Sequence, residues 1–295
     1  MSTPLETLLD ALALKQVDDD RYEGRSVERL RPRVFGGELL AQTLIAAART
    51  AGDRPCHALH VDFLAPGVPS LPIEYRVRRV RDGRRFAQRQ VSGYQRDREI
   101  VMATASFAAA ADEAVDYQHE RMPEVPGPDG LTSELEQRMA VADQLPIAQR
   151  PWLLEPRAVE VRQVRPVPLI DPPPVPPIAL TWIRTIGAMP DDQALHCAVL
   201  AYASDLTLLD TACYPHGVAW IDPRAQQASL GQSTWFHRGF RMDEWLLYAQ
   251  DVPVAAGGRA LARGGVWTRD GVRVASVVQE GLSQVAPGDS ALGRR

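Results

Sequence analysis

A repeat within the chain constrains its fold more than any other feature of the sequence. Two stretches 173 residues apart correspond over about forty positions without a gap. Seven pairs of identical or similar residues mark the correspondence: Phe63 with Phe236, Tyr75 with Tyr248, Ala87 with Ala260, Tyr94 with Trp267, Arg96 with Arg269, Asp97 with Asp270, and Val101 with Val274. Both stretches have strand-like alternation, and both follow a strongly apolar helix. We therefore predict a duplicated unit of one helix followed by an antiparallel sheet.

The first apolar helix is predicted within Arg33–Gly52, and the pair Gly36-Gly37 stands near its start. Two interpretations of this pair remain open. In the first, its backbone N–H groups are accessible at the positive end of the helix, where they stabilise negative charge on a ligand. In the second, the glycines form a tight entry turn, and the alanine-rich helix that follows packs closely against a neighbour.

The second apolar helix is predicted over Asp191–Asp205, after Pro190. It has almost no polar face, which is typical of a buried helix. It ends in a carboxylate, Asp205, where the helix dipole is negative and an acid is disfavoured. One interpretation is a functional site. The other is that Ser204 or Asp205 caps a following helical turn, Leu206–Asp210.

The remaining pattern indicates an α+β protein with two halves. A short amphipathic helix is predicted over residues 4–16, then a polar segment, and strands follow each apolar helix. The middle of the chain is rich in proline and includes Asp171–Pro177, as a semi-rigid connection would be. The predicted domains are an N-terminal repeat at 1–110, a Pro-rich linker at 111–180, a C-terminal repeat at 181–285 and a flexible tail at 286–295.

Bulk properties exclude several classes of protein. The formal net charge of −4 gives no broad basic surface for nucleic acid or an anionic membrane. Nothing approaches a membrane span, and the N-terminus lacks the pattern of a signal peptide. Three cysteines without a CxxC pair favour a reducing compartment, so we expect a cytoplasmic protein. The histidines show no metal-ligand spacing, so we expect no metal.

Eight segments together resemble the acyl-CoA thioesterase II family. The resemblance runs from about residue 8 to residue 284, and the segments that carry it are RVFGG, HALHVDFLAPG, RDGRRFAQRQV, MATASF, YASD, STWFHR, EWLLY and RDGVRVASVVQEG. The resemblance implies a double hotdog fold, with two antiparallel sheets that each wrap around a long central helix and pair with one another. It also implies hydrolysis of acyl-coenzyme A to a free acid and CoA. CoA is then part of the substrate, and no separate cofactor is expected.

The family's catalytic set is an Asp, a Ser or Thr, and a Gln, and the motifs carry these roles to Asp205, Ser229 and Gln279. All three lie in the C-terminal half. Shifted by 173 positions, Gln279 corresponds to Ser106, so the first half lacks this set. One departure stands out, because relatives commonly carry Asp-His-Ser before Met-Trp-Phe-His. This chain has Gly231-Gln232-Ser233-Thr234 instead.

These residue types suit attack by water on a thioester. Asp205 would be the general base, and its apolar position at a helix end should raise its pKa. Ser229 and Gln279 would hold the water. Oxyanion or substrate-binding roles are assigned to Gly36, Gly37, His60, Trp235 and His237. The phosphates of CoA would bind arginines, and the first meander contains six: Arg78, Arg79, Arg81, Arg84, Arg85 and Arg89. For each of these arginines, a solvated strand face is an equal alternative.

Other functions remain in competition. A covalent serine mechanism calls for a G-x-S-x-G motif and a histidine partner, and the chain has no G-x-S-x-G. His196 lies within the apolar helix and is expected to be a core residue. A non-catalytic acyl-CoA binder on the same fold is the alternative to an enzyme, since fold alone does not decide function. The expected partners are the acyl-CoA substrate and a second copy of the chain, as a homodimer or larger assembly, with no nucleic acid and no membrane.

Overall fold

The computed structural model describes residues 2–27, 31–109 and 115–288, and within them the strands form one continuous antiparallel sheet. The helices are α1 Pro4–Leu12, α2 Gly36–Ala48, α3 Glu134–Ala140, α4 Arg150–Leu153 and α5 Gln193–Ser204, with 3₁₀ helices at Ala142–Gln144 and Leu209–His216. The strands are β1 Lys15–Asp18, β2 Arg21–Gly24, β3 Cys56–Phe63, β4 Ile73–Asp82, β5 Phe86–Gln95, β6 Arg98–Ala108, β7 Val159–Gln163, β8 Ile178–Thr185, β9 Ala225–Phe236, β10 Leu246–Ala256, β11 Arg259–Thr268 and β12 Arg273–Val285.

The sheet has mirrored halves. Its strand order is β1-β2-β4-β5-β6-β3-β9-β12-β11-β10-β8-β7, so each half repeats the other outward from the centre. The bounds of β5 shifted by 173 positions give those of β11, which agrees with the repeat in the sequence. Strands β3 and β9 are hydrogen-bonded to each other from Ala58 opposite Trp235 to Asp62 opposite Gly231. The two sheets expected from the resemblance are therefore joined, as expected, into one continuous sheet, and this pairing removes an edge from each.

A single large core lies between the sheet and the two long helices. Along β5, buried and more exposed residues alternate, as expected for a strand with one face on a core. Helix α2 is buried almost all round, including Leu40, Ala41 and Leu44 at 0% exposure. Helix α5 is buried from His196 to Ser204 and packs against α2. The prediction of two buried apolar helices is confirmed, and each is a few residues shorter than the pattern suggested.

Three parts of the fold differ from the sequence prediction. The polar segment after α1 forms the hairpin β1–β2, whose strand β2 extends the sheet beside β4. The Pro-rich segment at 111–180 contains β7, which pairs with β8 and forms the other edge of the sheet. Part of the same segment runs along the outer face of the sheet, where the indole N–H of Trp182 donates to the Pro126 carbonyl at 2.8 Å.

Most of the predicted tail lies outside the described residues, which end at residue 288. Among the helices that the structure does describe, none combines the length and the apolar character needed to cross a membrane.

Candidate active site

The start of α2 meets the end of α5, and two glycines make this approach possible. A Cβ on Gly37 would lie 2.5 Å from the backbone oxygen of Tyr202, and a Cβ on Gly36 would lie 2.6 Å from Oδ2 of Asp205. Real side chains do not tolerate such distances, so only glycine allows the two helices to come this close here. The close-packing interpretation of the diglycine therefore holds, and the same contact places the N-terminus of α2 against the Asp205 carboxylate.

A β-bulge brings Ser229 to the same place. On β9, every second side chain faces the core, namely those of Gln232, Thr234 and Phe236. If this period of two continued, Ser229 would face away from the core. The ladder to β12 shifts between Glu280 and Gly281, which leaves a residue of β9 without a partner. The extra residue reverses the alternation, and bulges of this kind re-aim side chains beside active sites. Ser229 thus faces the helices.

The three residues expected to form the catalytic set are in direct contact. The Ser229 hydroxyl donates to Oδ1 of Asp205 at 3.1 Å. The Gln279 amide nitrogen donates to the same oxygen at 2.6 Å and to Ser229 Oγ at 2.9 Å. Asp205 is the C-cap residue of α5, and the backbone N–H of Gly37 favours the charged form of its carboxylate. Oδ1 is therefore fixed by two side chains, while Oδ2 lies against Gly36.

Burial raises the pKa of Asp205 to about 6. The hydrogen bonds from Gln279 and Ser229, the positive charge of Arg31 and the Gly37 N–H all oppose this rise. The predicted increase of the Asp205 pKa is confirmed in direction and cause. A carboxylate with this pKa is ionised at neutral pH and is a stronger base than an ordinary aspartate.

Asp205 and Ser229 line a cavity of about 540 Å³. One part of its wall is apolar and aromatic, and includes Phe35, Phe63, Leu209, Trp152 and Trp220. Another part is charged and includes Arg31, Arg33, Arg157 and Asp210. A concave site of this size with mixed lining suits a ligand that has both an apolar and an anionic portion.

Sequence reasoning missed Asp210 as a residue of this site. It lies in the 3₁₀ helix that follows α5, and burial together with the charge of Glu134 raises its pKa to about 8. Arg157 and Arg31 act in the opposite direction. The interpretation of Leu206–Asp210 as a simple helical turn gave no sign of this environment, because Glu134 and Arg157 come from distant parts of the chain. Asp205 is thus ionised at neutral pH, whereas Asp210 in the same cavity is largely protonated.

Three of the expected binding residues lie elsewhere. His60 and Trp235 project from the face of the sheet opposite the helices, where their rings meet edge to face at 5.3 Å. His60 Nδ1 is 2.9 Å from Ser233 Oγ, and His237 Nε2 is 2.7 Å from Ser276 Oγ. Neighbouring residues of β3 point into the core, so the pleat directs His60 away from it. The structure does not bring these residues together with Asp205.

His196 is a buried residue of α5, and its Nδ1 accepts the backbone N–H of Met242 at 3.0 Å. Burial lowers its pKa. The meander arginines do not line the cavity either: Arg79 pairs with Asp20, and Arg89 is buried against Asp82. The arginines that do line the cavity include Arg31, Arg33 and Arg157.

The register of the sheet corrects the residue that corresponds to Gln279 in the first half. Gln279 lies opposite Ala262, and the equivalent of Ala262, Arg89, lies opposite Ala105 rather than Ser106. Both ladders carry a bulge at the equivalent point, but Tyr94 pairs with Glu99 whereas Trp267 pairs with Arg273, so the β11–β12 turn holds one residue more than the β5–β6 turn and produces this one-residue slip. The first half therefore has no equivalent of Gln279, because Ala105 stands at that position.

No group of three or more His, Cys, Asp or Glu side chains within the described ranges is arranged to hold a metal ion. The three cysteines are buried and free, and burial raises the pKa of the Cys197 thiol to about 12. A thiol with so high a pKa is a poor nucleophile at neutral pH.

Comparisons with known proteins agree over nearly the whole chain. A model of the acyl-CoA thioesterase family matches residues 177–282, and a model of the acyl-CoA thioesterase N-terminal domain matches residues 26–108. The chain is 35% identical to acyl-CoA thioesterase 2 of Haemophilus influenzae, over 96% of this chain and 98% of that protein.

Solved structures give the same result. An acyl-CoA thioesterase II from Mycobacterium marinum, TesB2, is 36% identical, with a TM-score of 0.77 over 96% of this chain and 100% of that one. A hotdog-fold protein of unknown function from Alicyclobacillus acidocaldarius is 22% identical, with a TM-score of 0.74 over 95% of this chain and 98% of that one. It shares the fold alone. The chain therefore belongs to the acyl-CoA thioesterase II family of thioester hydrolases.

Proposed function

We propose that this protein hydrolyses acyl-CoA thioesters to a carboxylic acid and CoA, with Asp205 as the base that activates water. The observation that carries the proposal is the Asp205 carboxylate itself. It has a pKa of about 6, it lines the cavity, and Ser229 and Gln279 hold one of its oxygens by hydrogen bonds of 3.1 and 2.6 Å. Such contacts fix the direction of the remaining lone pairs, which is what a general base needs.

In the proposed step, Oδ2 accepts a proton from water while the water oxygen attacks the thioester carbonyl carbon. The carbonyl oxygen takes up negative charge in the tetrahedral intermediate. That intermediate then re-forms the carbonyl and breaks the carbon–sulfur bond. The proton held by Asp205 passes to the departing thiolate, which leaves as CoA thiol. A thioester is electrophilic enough that this sequence needs no covalent enzyme intermediate.

The oxyanion requires a hydrogen-bond donor, and we assign the start of α2 to this role. The first N–H groups of a helix have no acceptor within the helix. The N–H of Gly37 already acts on Asp205, whose pKa it lowers, so we assign the role to Gly36. Loss of one such donor typically costs about 10²–10³-fold in rate.

Ser229 is a positioning residue in this scheme and not a nucleophile. In the described part of the chain, its side chain bonds to Asp205 and Gln279 rather than to a histidine. A covalent serine mechanism depends on such a base. For CoA, we propose that Arg31, Arg33 and Arg157 attract the phosphate groups, because they line the same cavity.

We also propose that the two halves are a duplicated hotdog unit, which the mirrored strand order supports. We expect a homo-oligomer, since assemblies of identical chains are the commonest soluble oligomers, and light scattering would measure its mass.

Free-thiol release from acyl-CoAs of different chain length and branching tests the function, with the wild-type chain beside Asp205→Asn. The substitution keeps the shape of the side chain and removes the base. We expect a fall in kcat of at least about 10²-fold. Full activity in the variant would refute the role of Asp205. Acyl-CoA binding without turnover by the wild-type protein would instead favour the non-catalytic binder.

A further inference from the structure

Two buried glutamines face each other beside the catalytic set. Gln232 on β9 lies directly opposite Gln279 on β12, and both project toward the helices. Their exposures are 2% and 0%. Side chains that oppose each other on neighbouring strands have Cβ atoms about 4.5–5.5 Å apart, so the two amides are neighbours.

The orientation of the Gln279 amide is fixed by its partners. Its nitrogen is 2.6 Å from Oδ1 of Asp205. An ionised carboxylate can only accept hydrogen bonds, so the NH₂ group must face it. The carbonyl oxygen of Gln279 is therefore directed elsewhere.

The orientation of the Gln232 amide is fixed in the same way from the other side. Its nitrogen is 2.7 Å from Ser204 Oγ. That hydroxyl already donates its only proton to the Ala201 carbonyl at 2.8 Å, so it can only accept from Gln232. The carbonyl oxygen of Gln232 is therefore directed away from Ser204, which accepts from its nitrogen.

Both carbonyl oxygens, Oε1 of Gln232 and Oε1 of Gln279, are buried and accept no hydrogen bond from any residue in the described ranges. Buried acceptors of this kind are costly unless a donor reaches them. Neither oxygen can satisfy the other. A water molecule has two O–H donors and can therefore satisfy two buried acceptors at once, as buried waters commonly do.

We propose that Gln232 is a positioning residue that orients Gln279 through one buried water, which donates to the carbonyl oxygens of both glutamines. This inference rests on the proposed function, because its effect is exerted through Asp205. A continuous chain of hydrogen bonds then runs from the end of α5, through Ser204 and Gln232, to Gln279 and back to the carboxylate.

The first half of the molecule shows that the fold itself does not require this polar pair. The residues equivalent to Gln232 and Gln279 are Leu59 and Ala105, which are both 0% exposed and lie opposite each other in the sheet. The polar pair occurs in the half that contains Asp205. A neutral imidazole has one donor and one acceptor, so a histidine at position 232 could also donate to Ser204 and accept from the water.

The test uses the full chain with Gln232→Leu, Gln232→His and a matched control, Gln250→Leu. Gln250 is also a buried glutamine on a central strand, with 2% exposure, but its amide bonds to Thr207 and Thr181. The measurements are kcat and KM for thiol release, the pH dependence of kcat/KM, and thermal stability.

We expect Gln232→Leu to lower kcat by about 10–100-fold, because small misplacements of catalytic groups have effects of this size. KM should change little. The acid limb of the pH profile should move to higher pH, because a loosened Gln279 no longer lowers the Asp205 pKa. Gln232→His should keep most of the activity. Gln250→Leu should lose stability without moving the acid limb.

The inference is overturned if Gln232→Leu keeps kcat within 3-fold of wild type and its acid limb does not move. In that case the proposed function still stands, provided that Asp205→Asn is inactive. A shift of the limb in both leucine variants would also overturn it, because the effect would then be general to buried glutamines. Activity that survives in Asp205→Asn would refute the proposed function instead. A high-resolution crystal structure gives a direct check, in which one water should lie within hydrogen-bond distance of both oxygens.

Discussion

Replacing Gly36 by alanine places a methyl group against the Asp205 carboxylate, the proposed base. The new Cβ would lie 2.6 Å from Oδ2 of Asp205 and 3.2 Å from the ring of Phe63. Ordinary contacts begin at 3.4 Å, so Oδ2 must retreat by about 0.8 Å. The carboxylate can move only by straining the hydrogen bonds from Ser229 and Gln279 to its other oxygen.

A displacement close to 1 Å at the reacting group can cost about 10²-fold in rate, and this is the loss of kcat/KM that we expect for Gly36→Ala. Stability should change little. Alanine is favoured over glycine in a helix by up to about 1 kcal/mol, which offsets part of the strain. The assay is thiol release at saturating and limiting acyl-CoA, together with thermal unfolding.

Gly37→Ala is the matched comparison, one position along the same helix. Its Cβ would lie 2.5 Å from the Tyr202 backbone oxygen, which cannot move aside as a carboxylate can. Overpacking of this kind costs about 1–3 kcal/mol, so this variant should lose stability. If Gly36→Ala keeps kcat/KM within 3-fold of wild type, or if it unfolds as readily as Gly37→Ala, the assignment of Oδ2 to the reacting position is wrong.

Two further predictions concern pH. Because Asp205 must be ionised to act as a base and its pKa is about 6, kcat/KM should fall about tenfold per pH unit below that value and stay level just above it. A profile without a limb between pH 5 and 7 would contradict this. Asp210 keeps its proton in the folded protein up to about pH 8, whereas the unfolded chain releases it near pH 4. Between these two pH values its ionisation favours the unfolded chain, so the free energy of unfolding falls as pH rises from about 4 to about 8. The gain in melting temperature of Asp210→Asn over wild type should therefore be larger at pH 8.5 than at pH 5, and an equal difference at the two pH values would count against the environment assigned to Asp210.

Several features of this protein follow from local sequence alone. The 173-residue repeat and the alternation within each strand predict two equivalent halves, because a period of two puts one face of a strand on a core. The apolar pattern predicts both long helices. The family motifs select Asp205, Ser229 and Gln279, and the apolar setting at a helix end predicts the direction of the Asp205 pKa.

The assembly of the site depends on contacts between distant residues, and only the tertiary structure decides it. The period of β9 by itself would turn Ser229 outward, and a bulge against β12 turns it inward. The environment of Asp210 comes from Glu134 and Arg157, which no local pattern links to it. His60 and His237 have the right chemistry, but the pleat places them on the outer face. Local sequence determines which elements form and which way each would face alone, whereas register, bulges and the crossing of two helices determine which side chains meet.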